Sequence, residues 1–273
     1  MTDLPPSADS AVPGAARPAR RRRWWWIGLA SIVVVALAGA AVWYFVFRDT
    51  APPKVDIDRA AESVDGGGTA SSGTTSTTAS STAAKGLDGT WGVDSTIGDF
   101  NVSAGTFTSA FVGYRVNEQL AGVGAKTAYG RTPDVTGSLT IAGTVVTAAE
   151  FTADLTTLQS DDSRRDGQLR NQSIQTSRFP TATFTLTQPV DFGTIPTDES
   201  TVSVNATGDL TLHGVTKTVT IPLDAKLVKD TIVVTSLFDI TFADYDITKP
   251  SSTMVLSIED KGIMEVQLFF TRS

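Results

Sequence analysis

VSVNATGDLTLHGVTKTVTIPL, residues 202–223, decides how this chain reads. Val202, Val204, Ala206, Leu210 and Leu212 alternate with Ser203, Asn205, Thr207, Asp209 and Thr211. His213-Gly214 interrupts, and Val215, Val219, Ile221 and Leu223 then alternate with Thr216, Thr218 and Thr220. Successive side chains of a strand point to opposite faces. Period-two alternation on both sides of a Gly-containing break therefore predicts a β-hairpin with one apolar face.

The same texture spreads outward over residues 87–273. Alternating segments cover 106–116, 135–142 and 144–155. After Phe179-Pro180, Ala182, Phe184 and Leu186 alternate with Thr181, Thr183, Thr185 and Thr187. Ile232, Val234, Phe238, Ile240 and Phe242 share a face, and a last segment runs from Ile263 to Phe270. Threonine at so many positions suits strands, where β-branched side chains are favoured. Only 161–174 reads as a short helix. Many strands at regular spacing predict an antiparallel sandwich or barrel. GSLTIAG at 137–143 echoes GDLTLHG at 208–214, which reads as two hairpins sharing one turn chemistry.

The first third of the chain is different in kind. Residues 1–23 are Pro-, Ala- and Ser-rich and end in Arg20-Arg21-Arg22-Arg23, a pattern expected of a disordered basic tail. Trp24 to Phe47 carries no charged residue and is long enough to cross a hydrocarbon core of about 30 Å. Trp24–Trp26 at one end and Trp43-Tyr44 at the other suit the two interfacial belts. The arginines predict a cytoplasmic N-terminus and an extracytoplasmic remainder, a single-pass protein of the cell membrane. Ala38-Gly39-Ala40 offers a rival reading as a signal-peptide cleavage site, but a cut there leaves the apolar stub AVWYFVF. Residues 48–86 include TASSGTTSTTASSTAA and predict a flexible linker.

Composition removes whole classes of chemistry. The chain of 273 residues has no cysteine and one histidine, so disulfides, thiolate metal sites, cysteine nucleophiles and multi-histidine metal sites fall away. No cofactor is implied. Residues 1–48 hold six Arg against Asp3 and Asp9, a net +4 that leaves −11 on the rest of a chain whose formal charge is −7. An acidic body is a poor partner for nucleic acid.

Nor does a catalytic set assemble from the pattern. His213 has no G-x-S-x-G elbow to serve and sits at the predicted hairpin turn, where a turn role or contact with a ligand's polar end is expected. Arg164, Arg165 and Asp166 open the short helical pattern. Asp caps free amides there, and Arg165 is either a carboxylate clamp or a contact for a polar head group. GVGAKT at 122–127 lacks the Gly before Lys that a phosphate loop needs, and Asp244-Tyr245-Asp246 lacks the rest of a calcium loop. What remains is apolar surface. Phe111, Phe151, Phe184, Leu186, Val204, Leu210, Leu212, Val219, Ile221, Phe238, Ile240 and Phe242 are the inward candidates. A closed sheet of about eight strands is just wide enough to be filled by side chains or to hold one ligand, and the pattern leaves both open.

Three segments together carry a family resemblance: TWGVD at 90–94, SRRDGQLRNQSIQTSRFPTATF at 163–184 and GDLTLHGVTKTV at 208–219. In this order they resemble the YceI-like, polyisoprenoid-binding family over 88–273. The resemblance implies a lipocalin-like antiparallel β-barrel of about eight strands with a short helix, here preceded by one transmembrane helix. It also implies an internal cavity for an isoprenoid or other long-chain lipid. Two departures stand out. Gln168 replaces the histidine of the family's R-D-x-H-L pattern, and Tyr114-Arg115-Val116-Asn117-Glu118 lacks the histidine of F-x-V-x-H. The expected function is lipid binding at the cell envelope, not catalysis. The alternative is a cell-surface interaction module with a packed core. Nothing in the pattern fixes an oligomeric state.

Overall fold

A computed structural model describes residues 34–40, 43–44, 49–66, 86–196 and 199–273. Met1–Arg48 and Asp49–Ser273 form separate units. In the first, residues 34–40 and 43–44 are helical and exposed. Among the described residues no helix is long and apolar enough to cross a membrane. The span expected over 24–47 lies largely outside the described residues, as does the Ser/Thr/Gly run of the linker.

The second unit is built on β1 (Gly89–Val93), β2 (Phe100–Asn101), β3 (Thr106–Phe107), β4 (Phe111–Leu120), β5 (Gly124–Thr132), β6 (Val135–Ala142) and β7 (Val145–Asp154). It continues with β8 (Thr181–Leu186), β9 (Val190–Asp191), β10 (Val202–Leu212), β11 (Val215–Val228), β12 (Thr231–Thr241), β13 (Val255–Ile258) and β14 (Lys261–Arg272). Eight of them pair antiparallel in the order β1-β6-β7-β8-β10-β11-β12-β14. Pairing of Trp91 with Arg272 and Val93 with Phe270 then joins β14 to β1 and closes the barrel. Closure removes the free edges that an open sheet would expose. Further along, β14 leaves β1 and pairs with β4 instead, from Ile263↔Arg115 to Gln267↔Phe111. The β4–β5 hairpin therefore extends the wall at one end.

The 202–223 hairpin forms as its alternation requires, with Leu212 opposite Val215. His213 and Gly214 between them have φ of 53° and 78°. Two left-handed residues in a two-residue loop match the right-handed twist of the flanking strands. The ring of Phe179 packs on this turn. It meets the His213 imidazole edge-on at 4.4 Å and fills the space a Cβ on Gly214 would need. The Phe-Pro segment and the His-Gly turn are thus two halves of one contact.

The internal repeat also has a packing basis. Gly208 lies on the inward face of β10, where a Cβ would come 2.4 Å from the Phe184 ring. Gly137 does the same for Phe151 on the other side, at 2.8 Å. Phe151 and Phe184 are register partners across β7 and β8. In each hairpin a glycine makes room for a phenylalanine laid across the interior.

A second layer covers part of the outside, and here the linker expectation is corrected. Residues 49–66 do not form a free stalk. Ile57–Gly66 is a helix that packs on β11 and β12, burying Ile57, Ala60 and Ala61 and seating Val64 against the same core. These four positions fall at i, i+3, i+4 and i+7, one helical stripe. Asp58 and Asp65 pair with Lys226 and Lys229 at 2.5 and 2.7 Å. The folded unit therefore starts at Asp49, not at residue 87.

Under the same layer lies a buried ionic cluster. Met264, Val266 and Leu268 of β14 face inward, so Glu265 and Gln267 face out, yet both are buried. Arg115 Nε donates to Glu265 Oε1 at 2.6 Å, and Arg131 donates to Oε2 through Nε and Nη2. Nη2 of Arg115 also donates to the Pro52 carbonyl, and Nη2 of Arg131 to that of Pro53. Phe107 and Phe111 stack on the Arg131 guanidinium at 4.5 and 4.3 Å. Phe111, expected inside, is thus part of this outer cluster. Its neighbours Val112 and Tyr114 take the inward positions of β4, because the outer face here is covered and can accept an aromatic ring.

Candidate functional site

The interior of the barrel is not filled. One chamber of about 200 Å³ lies within the eight-stranded ring. Its wall is aliphatic and phenylalanine side chains, with Thr183 and Lys226 the polar residues among them. A second chamber of about 280 Å³ lies toward the β4–β5 end, between β4, the 155–174 segment and the 247–263 segment. Val112, Ala182 and Met264 line both, so these three side chains form the boundary between them. Together the chambers reach the lower end of ligand-pocket volumes, about 300–1,000 Å³.

Ten of the twelve apolar candidates line a chamber. Phe151, Phe184, Leu186, Val204, Leu210, Ile221 and Phe238 line the first. Leu212, Ile240 and Phe242 line the second. Val219 packs against the core without lining either, and Phe111 lies outside.

The two chambers differ in polarity. The second carries Glu118, Asp162, Arg164, Arg165, Gln168, Ser173 and Lys249 in its wall. The helix Ser163–Gln168 sets several of these. Asp162 caps it by accepting from the Arg164 amide at 2.8 Å, and the next turn widens to a π-helix at Leu169–Ser173. Arg165 donates to Glu118 at 3.1 Å and to Asp161 at 2.6 Å. Burial works against its cation, yet the Glu118 and Asp161 carboxylates beside it help hold its pKa above the ordinary value. Asp166 accepts from the amide and hydroxyl of Ser160 at 3.0 and 2.6 Å, which fixes the start of the segment.

The other polar candidate is elsewhere. His213 is buried at its turn, its Nδ1 2.9 Å from the Tyr245 carbonyl oxygen, and it lines neither chamber. Its positive φ and the Phe179 ring hold it in the wall. Two residues that sequence reasoning passed over line the polar chamber instead. The hydroxyls of Tyr114 and Ser173 are buried and, among the described residues, have no hydrogen-bond partner. Burial raises the Tyr114 pKa, so this phenol remains a donor. The alternation Val112, Tyr114, Val116 is the signal that places Tyr114 inside; Ser173, in a π-helical turn, has none.

A family model described as a YceI-like domain matches residues 91–270. Protein YceI of Escherichia coli O157:H7 is 34% identical over 122 residues, covering 44% of this chain and 56% of that protein. The chain thus spans just over half the length of the curated relatives it matches. A polyisoprenoid binding domain from Saccharophagus degradans, implicated in plant cell wall breakdown, has 19% identity and a TM-score of 0.47, covering 60% of this chain and 94% of that one. Burkholderia cenocepacia BcnA has 16% identity and a TM-score of 0.46, covering 63% and 99%.

Proposed function

Since the chain belongs to the YceI-like family, we propose that its barrel binds a long-chain lipid: a polyisoprenoid, an isoprenoid quinone or a similar amphiphile. The observation that carries this is the interior itself, an apolar chamber continued across a boundary of three side chains by a second, mainly apolar one with charged residues in its wall. Such a gradient fits an amphiphile lying lengthwise, tail within the ring and head toward Arg165. Each methylene moved from water into the apolar chamber contributes about 0.8 kcal/mol, so a long chain binds tightly with few polar contacts. The filled-core alternative asks for an interior without such chambers.

The proposal extends to place. The uncharged run at 24–47 behind four arginines would anchor the protein, with the residues that follow it outside the membrane. Bound lipid would then be exchanged with, or held near, the outer surface of that membrane.

Both parts are open to direct test. Incubation with vesicles containing a polyprenyl lipid, followed by gel filtration, should recover lipid with the protein; protein that elutes bare after every attempt contradicts the binding. Protease added to intact cells stripped of any outer layer should digest the barrel from outside. Complete protection of the barrel contradicts the placement.

A further inference from the structure

The docked 49–66 arm fixes where the chain reaches the barrel. Thr127 of β5, three residues past Gly124, donates its hydroxyl to the Asp49 carboxylate at 2.7 Å. The carbonyls of Pro52 and Pro53 are then held by Arg115 and Arg131. Near the other end of the arm, Asp65 pairs with Lys229 at the β11–β12 turn. The arm therefore arrives at the β4–β5 end and runs toward the opposite one. Strand β14 lies between these ends, beside β4 from Ile263 and beside β12 as far as Phe270. Its twelve residues, at about 3.4 Å each, separate them by roughly 40 Å along the strand.

The β4–β5 end also differs from the rest of the surface. Residues 119–125 and 250–258 carry no charged side chain, although the chain beyond residue 48 has a net charge of −11. Val255 pairs with Leu120 and Ser257 with Gln119, so Leu256 is the extra residue of a β-bulge. The Ala121 amide donates to the Met254 carbonyl at 2.8 Å. The two uncharged stretches thus form one surface. Among the described residues of 49–273, Met254 and Leu256 are the large apolar side chains left exposed, at 51% and 66%. One such residue alone would mean little. Here two stand together, in an uncharged surface, at the end where the chain arrives.

Resting on the membrane anchoring read above, we propose that the β4–β5 end of the barrel docks on the bilayer, with Met254 and Leu256 in its interface and the acidic body turned away. The uncharged run of the anchor ends at Phe47. Two residues of extended chain reach at most about 7 Å, so Asp49, and with it Thr127, stays close to the membrane surface. The docked arm removes the slack a free linker would supply. The Ser/Thr/Gly run follows the arm in the chain and cannot restore it. A bilayer suits the patch better than a charged partner, because the patch offers no charge to pair with.

The chain has no cysteine, so single labels can be introduced. Leu256→Cys and, at the opposite end, Asp230→Cys each replace an exposed residue and take a fluorophore in the full chain, reconstituted in phosphatidylcholine vesicles. Melting curves that match the parent establish that both labelled proteins are folded. A nitroxide carried on the lipid head groups should quench the Leu256→Cys label and leave the Asp230→Cys label bright. The quenching should persist at about 1 M salt, where charges are screened beyond about 3 Å. Adding Met254→Asp to the Leu256→Cys chain should restore most of the lost emission. Equal quenching at the two positions, or more at Asp230→Cys, overturns the proposal, as does a Leu256→Cys label left bright in a chain that stays with the vesicles. Excimer emission from pyrene on Leu256→Cys would put a second copy on the patch and overturns it too. A chain extracted from the vesicles by alkaline carbonate overturns the anchoring reading itself, a failure distinct from loss of docking in a chain that stays.

Discussion

Arg131 gives Glu265 two hydrogen bonds, through Nε at 3.0 Å and Nη2 at 2.7 Å, at a point where the carboxylate has no exposed surface. Arg115 binds its other oxygen. One buried anion thus organises two guanidiniums, and burial lowers the pKa of one of them, Arg131. Removing the anion leaves two buried cations facing each other. Glu265→Ala should therefore cost about 3–5 kcal/mol in urea unfolding. A loss under about 1 kcal/mol would show that the cluster relaxes into solvent.

The same two arginines reach the Pro52 and Pro53 carbonyls, which ties the 49–66 arm to the barrel wall. Its helix is seated through Ala60, which is 1% exposed. Ala60→Glu places an unpaired carboxylate there. We expect limited proteolysis to cut within 49–66 in this variant while the barrel stays whole, and the melting temperature to fall. An arm that remains protected would contradict the packing described.

Ala182 stands at the boundary between the chambers with Val112 and Met264. Ala182→Leu should narrow the passage without filling either chamber. Affinity for a long polyprenyl chain should fall by about 10-fold or more, while a short alcohol such as farnesol should lose less than about 2-fold. Equal losses for both would mean that the two chambers are not used as one site.

Two carboxylates make stability depend on acid. The Thr96 and Thr156 hydroxyls and amides hold the Asp94 and Asp154 carboxyls below their ordinary value of 3.8. A group with a depressed folded pKa gives its full stabilisation above the unfolded value and loses it as pH falls through the folded one. Asp154→Asn should therefore lower the melting temperature at neutral pH and matter progressively less below pH 3.8. The same decrement at pH 7 and in strong acid would contradict this linkage.

Much of the wall was readable because strand alternation is a long-range signal repeated many times. Ten inward residues follow from it, and two of the three family segments meet in one contact, Phe179 on the His213–Gly214 turn. Phe111 was misplaced because alternation says which residues share a face, not which face is covered. Its own face lies under the arginine cluster. The 49–66 helix was hidden for a different reason. A stripe of Ile57, Ala60, Ala61 and Val64 is short, two of its members are alanine, and it stands beside strong Pro and Gly signals. Its stability comes from docking on β11 and β12, which local sequence does not show. The orphaned hydroxyls of Tyr114 and Ser173 are likewise tertiary facts, since only the packed chamber decides which polar groups lack partners.

What fills the barrel can be weighed directly. A protein spanning residues 49–273, exported by a bacterial host and purified without detergent, can be sprayed intact into a mass spectrometer and extracted in parallel for lipid. A discrete adduct is expected, its mass matching an extracted long-chain prenyl lipid and lost when Ala182→Leu narrows the passage. A barrel that emerges empty, and remains empty after incubation with polyprenyl lipid, would contradict it.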